Sequence, residues 1–154
     1  MILKKSTHNQ LFMKKIKVFS FVFLSILVLY SCKQKINPSD ISKLNGYWEI
    51  QKVILPDGSY KEYKINETID YFLVKNNNGF RQKVMPQLNG TCTTNGIKEN
   101  LSIQAEKGVY YMLYTTSYGK WKEELVKIED SVLVVKNKDD IEYQYKKAKL
   151  FSLK

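Results

Sequence analysis

The chain has 154 residues, 25 of them basic and 15 acidic, which gives a formal net charge of +10. The first 31 residues hold five of the lysines, the single histidine and no acid, so the chain from Cys32 onward carries 20 basic and 15 acidic side chains. Because charges of opposite sign are interspersed along it, they indicate a solvated surface, and no nucleic acid is expected as a partner.

The N-terminal segment has the parts of a secretory signal. The basic stretch Lys14 to Lys17 precedes an apolar run from Val18 to Tyr30, and Ser31 supplies the small residue before a signal-peptidase cut. The 13 residues of that run fall short of the ~20 that a membrane-spanning helix needs. We therefore predict a signal peptide over residues 1–31, with Met13 as a candidate functional start.

The end of this segment, Leu29-Tyr30-Ser31-Cys32, resembles the lipobox of bacterial lipoproteins. The resemblance implies cleavage before Cys32 and attachment of diacylglycerol and palmitate to it, so that the membrane is a partner through this lipid. Lys33 follows the cysteine where an Asp would favour inner-membrane retention, and Lys33-Gln34-Lys35 lacks the acidic run of a surface-export signal. We expect the outer membrane, facing the periplasm. A secretory signal without lipid and a membrane anchor are the alternatives.

Residues 32–45 are predicted to be the lipidated cysteine and a tether, because Ile36 to Asp40 is short, polar and interrupted by proline. Ser39 or Asp40 would alternatively cap a short helical turn. Residues 46–150 are predicted to form one domain of about eight or nine short strands, spaced by roughly ten residues, with turn residues between them. This pattern predicts an all-β fold, an antiparallel up-and-down meander that closes into a barrel, since closure removes exposed strand edges.

The first predicted strand opens with Leu44-Asn45-Gly46-Tyr47-Trp48, which resembles the Gly-x-Trp start of lipocalins and of lipocalin-like bacterial lipoproteins. The resemblance implies a lipocalin-like barrel with a cavity for a small apolar or amphipathic ligand. It also implies that Trp48 packs across the barrel base under a basic side chain of the last strand, usually an arginine. Lys146 and Lys147 are the nearest candidates here, and a lysine lacks the planar stacking of a guanidinium.

Removal of the signal peptide also removes His8, and this excludes Ser-His-Asp and Cys-His catalysis as well as histidine metal sites. With Cys32 lipidated, Cys92 has no partner for an intramolecular disulfide. Glu123 and Glu124 are neighbours on a predicted strand and point to opposite faces, which is poor geometry for a shared acid–base task. We predict a protein that is not an enzyme and has no cofactor and no metal.

The aromatic residues are the remaining candidates for function. A barrel lumen lined by aromatic and methionine side chains would offer apolar walls with hydrogen-bonding tips. The predicted ligand-binding residues are Trp48, Tyr110, Met112, Tyr114, Trp121, Tyr143 and Tyr145. A slip of one residue in register would turn them outward. The alternative is a filled barrel that docks an envelope protein through its outer aromatic surface.

Overall fold

The structure, a computed structural model, describes residues 35–150. The predicted signal peptide and the predicted lipidation site Cys32 lie outside the described residues. The described elements are a 3-10 helix at Pro38–Leu44 and ten strands: β1 Gly46–Ile54, β2 Tyr60–Glu62, β3 Ile69–Lys75, β4 Asn78–Pro86, β5 Cys92–Thr94, β6 Glu99–Glu106, β7 Val109–Thr115, β8 Lys120–Ile128, β9 Val132–Lys136 and β10 Glu142–Lys147.

Eight of these strands form a closed antiparallel ring. Each pairs with its neighbour in the order β1, β3, β4, β6, β7, β8, β9 and β10, and β10 pairs with β1 to close it. The short strands β2 and β5 extend the sheet beside β1 and β4. The predicted all-β meander that closes into a barrel is thus confirmed. The barrel has no free edge along its main strands, as expected for a small all-β domain.

Two tight turns show why the chain reverses where it does. Asn76 and Asn77 both have positive φ, as do Lys107 and Gly108. Two consecutive left-handed residues between antiparallel strands match the twist of a hairpin, and Asn and Gly adopt that conformation at little cost. These residues fix the β3–β4 and β6–β7 hairpins and thereby the register of the strands.

The 3-10 helix closes one end of the barrel, which we call the base. Asn37 caps it, with its backbone N–H donating to the Asp40 carboxylate, and Pro38 occupies the first helical position. Ile41 and Leu44 are buried in the barrel core. The segment predicted as a tether is therefore partly folded, from Pro38 to Leu44, because these apolar side chains find a place under the barrel.

The opposite end, which we call the mouth, is formed by the β7–β8 and β9–β10 turns and by the loops around β2 and β5. Loop residues there expose large apolar side chains: Leu55, Ile65, Ile97 and Tyr118. We refer to these four as the apolar rim. Tyr118 belongs to the β7–β8 turn, in which the Thr116 N–H donates to Gly119 O, and β7 ends at Thr115. No helix among residues 35–150 is long and apolar enough to cross a membrane.

Candidate functional site: the mouth half of the barrel

The strand register places all seven residues predicted to bind a ligand on the inner face. Tyr110, Met112 and Tyr114 alternate along β7 and face Leu125, Glu123 and Trp121 of β8. Residues directly opposite in an antiparallel pair share a face of the sheet. On the other side of the ring Trp48, Tyr143 and Tyr145 belong to the same core cluster. Their role in ligand binding stays a prediction.

The base half of the lumen is filled with apolar side chains. Trp48 has no solvent-accessible surface. Other buried apolar residues of the core cluster, against which Tyr110 packs, are Leu44, Phe72, Val74, Leu101, Ile103, Met112, Leu125, Ile128 and Leu133. A core packed in this way leaves no room for a ligand at the base.

Lys147 of β10 provides the basic group above the base tryptophan. Its Nζ lies 4.3 Å from the centre of the Trp48 ring and donates to the carbonyl oxygens of Lys43 at 2.8 Å and Asn45 at 2.5 Å. The Trp48 indole N–H in turn donates to Leu44 O at 2.7 Å. The ammonium thus makes a cation–π contact and binds orphan carbonyls at the end of the 3-10 helix. A lysine is sufficient here because point-charge contacts replace planar stacking.

Halfway along the lumen the chemistry changes from apolar to charged and aromatic. Arg81 of β4 points inward opposite Phe72, and its guanidinium lies 4.4 Å from the centre of the Tyr114 ring. Its Nε donates to the Glu99 carboxylate at 2.5 Å. The Tyr114 ring stacks on that of Trp121, with 5.0 Å between ring centres and 12° between planes.

Glu123 of β8 lies beside Arg81 but is incompletely paired. The nearest Arg81 nitrogen, Nη1, is 3.8 Å from Glu123 Oε2, too far for a hydrogen bond, and no other described residue donates to this oxygen. The side chain is well buried, with the whole residue 8% exposed. Burial raises the pKa of Glu123, and the charge of Arg81 together with side-chain hydrogen bonds from Tyr114 and Trp121 opposes the rise only in part.

Asp70 of β3 and Lys83 of β4 complete the charged group. Lys83 Nζ lies 2.8 and 2.9 Å from the two carboxylate oxygens of Asp70. Asp70 is buried, whereas the Lys83 side chain is 54% exposed at the mouth. We call Asp70, Arg81, Lys83, Glu99 and Glu123 the charged layer. It contains three acids and two bases, carried on the inner face of β3, β4, β6 and β8.

Sequence reasoning did not identify the charged layer. Glu123 was considered only together with Glu124, which the register places on the outer face opposite Tyr111. One signal was present: Arg81 is the single arginine in a chain with 24 lysines. Arginine suits buried ion pairs and aromatic stacking better than lysine does, so a lone arginine marks a position with those demands.

The outer wall carries an aromatic cluster of its own. Tyr47 and Tyr71 lie 4.8 Å apart by ring centres, and Tyr71 and Phe80 lie 6.1 Å apart. Leu73 is exposed beside them, opposite Phe80 in the register. We call Tyr47, Tyr71, Leu73 and Phe80 the outer aromatic surface. Farther along the wall is a groove of about 190 Å³, lined by Glu49, Asn66, Ile69, Pro86, Gln87, Leu88, Ala148 and Lys149.

Comparisons with known proteins add one structural likeness. No protein-family description matches the sequence, and no curated protein does. Among solved structures, the chain is similar to a lipocalin-like protein from Bacteroides uniformis, with a TM-score of 0.44 and 10% sequence identity. The similarity covers 69% of this chain and 99% of that one. Within residues 35–150, no group of three or more His, Cys, Asp and Glu side chains is arranged to hold a metal ion.

Proposed function

We propose that this protein is a lipid-anchored, non-catalytic binding protein of the periplasm that takes a small apolar or amphipathic ligand at the mouth of its barrel. The observation that carries the proposal is the charged layer, set across the lumen beneath partly exposed aromatic rings. Buried charge is costly, and a filled apolar barrel would be more stable without it. Such a layer is expected where a binding site needs polar contacts in an otherwise apolar pocket.

The filled base limits which ligands are suitable. Trp121 and Tyr143, both partly buried, are the aromatic residues packed against the core cluster that lie nearest the mouth, and the base of the lumen around Trp48 is packed with side chains. A ligand would therefore occupy only the mouth half. This favours a compact molecule with one apolar or aromatic part and one polar head over a long lipid chain.

Native mass spectrometry tests the proposal. We expect the full-length protein, extracted from its own membrane in a mild detergent, to carry a small molecule that is released when the protein unfolds. Trp121→Leu should lose most of this bound mass, because it removes the ring that covers the site. Tyr111→Leu is the matched control, since Tyr111 lies on the outer face of β7. A protein that carries no small molecule, or a Trp121→Leu variant that retains it as wild type does, would contradict the proposal.

A second candidate function is supported by the outer aromatic surface. Tyr47, Tyr71 and Phe80 form a contiguous aromatic patch beside the exposed Leu73, as at sites where proteins dock. In this alternative the barrel is a scaffold for an envelope protein. Cross-linking in cells distinguishes the two: Leu73→Ser would abolish a specific cross-linked partner if the patch is the functional site, and would leave the ligand in the mouth unaffected.

A further inference from the structure

We infer that the polar head recognised at the mouth is a cation, an organic ammonium held by the Glu123 carboxylate beside the ring of Trp121. The inference deepens the proposed function and rests on it. It names the chemical class of the ligand head, an amine.

The first argument is the charge balance of the charged layer. Arg81 is paired with Glu99 at 2.5 Å, and Lys83 forms an ion pair with Asp70 in which its Nζ donates a hydrogen bond to Oδ2 but not to Oδ1. Each of the two bases therefore already has an acid of its own. Glu123 is the acid left without a base of its own. Its Oε2 lies 3.8 Å from Nη1 of Arg81, which is already paired with Glu99. A ligand that brings one positive charge would make the layer neutral.

The second argument is the unpartnered oxygen. The Glu123 side chain is 11% exposed; its carboxylate has side-chain hydrogen bonds with Tyr114 and Trp121, whereas its Oε2 accepts no hydrogen bond from a described residue. A buried acceptor without a donor loses its hydration and gains nothing in return. An ammonium has three N–H donors and forms short, strong bonds to carboxylates. It would therefore supply both the missing donor and the missing charge.

The third argument is the aromatic wall next to this carboxylate. Trp121 precedes Glu123 by two residues on β8 and so lies on the same face of the strand. Indole is the best aromatic partner for a cation, and the Trp121 ring already lies 5.9 Å from the Arg81 guanidinium. A carboxylate and an indole on one face form the two sides of an ammonium site.

An anionic head fits this site less well. Arg81 is enclosed by Glu99, Glu123 and the Tyr114 ring, so an incoming carboxylate would have to displace an existing partner. It would also raise the excess of negative charge from one to two. Like charges in a poorly hydrated site repel strongly.

Three compounds that share a phenyl group and differ in the head test the inference: 2-phenylethylamine, 2-phenylethanol and 3-phenylpropanoate. The readout is the pair of indole N–H signals in a ¹⁵N-labelled NMR spectrum. The chain has only two tryptophans, Trp121 at the mouth and the buried Trp48 at the base. The Trp121 signal reports binding, while an unchanged Trp48 signal shows that the fold is intact.

At pH 7.5 we expect the amine to bind at least about tenfold more tightly than the other two, from the usual strength of a hydrogen bond to a charged group. Glu123→Gln should remove that preference and leave weak binding of the alcohol unchanged. Glu124→Gln removes a carboxylate from the outer face of the same strand and should keep the preference. If Glu123→Gln shifts the Trp48 signal, Trp121→Leu replaces it as the variant; because it lacks the reporting indole, its binding is measured by isothermal titration calorimetry, and it should bind the amine severalfold more weakly than the wild type does.

The outcomes separate the two proposals. If the propanoate binds as tightly as the amine or more so, the inferred cation is wrong, while a mouth site for small molecules remains supported. The same holds if the amine preference survives Glu123→Gln. If none of the three compounds shifts the Trp121 signal, an ammonium site of this kind is ruled out. The broader proposal is then decided separately, by the bound mass in native mass spectrometry.

Discussion

Arg81 shows how much a single side chain determines in this barrel. Its guanidinium pairs with Glu99, stacks on Tyr114 and approaches Glu123, so it connects β4, β6, β7 and β8 inside the lumen. A lysine would offer one compact charge and no plane to stack. Arg81 therefore marks the boundary between the packed base and the polar mouth.

Glu123 gives a prediction about stability and pH. Burial raises the pKa of Glu123 above its ordinary value of 4.5. Between the ordinary and the raised pKa, the folded protein holds a proton that the unfolded chain has lost. The contribution of Glu123 to the free energy of unfolding is thus fully present below the ordinary pKa and is lost as the pH rises through the raised one. The loss amounts to about 1.4 kcal/mol for each unit of pKa shift.

We therefore expect the free energy of unfolding of the wild type, minus that of Glu123→Gln, to fall as the pH rises above the ordinary pKa of 4.5. Urea denaturation of both proteins at several pH values measures it. Above the raised pKa, the variant should equal or exceed the wild type in stability, which is the usual relation at a binding site that keeps an uncompensated charge. A difference that stays constant as the pH rises would contradict the assignment.

At the scale of the elements, the β3–β4 hairpin is the most constrained turn. A Cβ added to Gly79 would lie 1.8 Å from Leu73 O and 2.9 Å from Val74 Cα, which no real side chain does. Gly79 lies in β4, the strand that also supplies Arg81. The close approach at Gly79 therefore also sets where the charged layer begins on this strand. Any larger residue must move backbone on one side of the hairpin.

We expect Gly79→Ala to lower the free energy of unfolding by about 1–3 kcal/mol, the usual cost of forcing extra atoms into a packed site. Gly119→Ala is the control, because its Cβ would meet no atom within 4 Å. It should change stability by less than about 0.5 kcal/mol. Thermal or urea denaturation compares the two. Equal effects at both positions would show that the contact at Gly79 imposes no constraint.

The sequence predicted the strands and turns better than it predicted the contacts between elements that are distant in the chain. Alternating strands and turn residues sufficed for the meander, because both are local signals. The end of β7 cannot be read from composition, since the aromatic run continues to Tyr118 although the strand ends at Thr115 and the turn begins there. The helical turn at Pro38–Leu44 remained one of two alternatives, because its stability comes from Ile41 and Leu44 beneath the barrel.

The charged layer could not be predicted from the sequence, for a different reason. Arg81, Glu99 and Glu123 lie on three strands, and β5 separates β4 from β6 in the chain although the two pair in the sheet. Their meeting depends on the register of several long-range pairings, and a shift of one residue would turn each side chain to the outer face. Only the fact that Arg81 is the single arginine of the chain indicated that this position is special.

At the scale of the whole molecule, the two ends of the barrel are chemically distinct. The base carries the 3-10 helix, and Ile36 just before it packs against the core. The mouth carries the apolar rim, and the partly buried Trp121 of β8 lies toward this end. The described chain therefore begins at the closed end, and the proposed site lies toward the other.

This asymmetry gives an orientation if Cys32 is lipidated as predicted. Cys32 precedes Ile36 by four residues, which span at most about 14 Å when fully extended. The lipid would then hold the base close to the membrane and direct the mouth away from it. A ligand would reach the site from the aqueous side, and the apolar rim would face that side too.

Spin labels at the two ends test this orientation. In a Cys92→Ser background, Ser131→Cys labels the β8–β9 turn at the base and Ser117→Cys labels the β7–β8 turn at the mouth; both serines are exposed. In vesicles that contain nickel-chelating lipids, we expect the label at position 131 to relax faster than the label at position 117, because paramagnetic relaxation falls steeply with distance from the surface. Lipidated protein is required, and Cys32→Ala protein, which should not bind the vesicles, is the control. Equal relaxation at both positions, or faster relaxation at position 117, would mean that the mouth faces the membrane or lies beside it, and a ligand would then enter from the lipid.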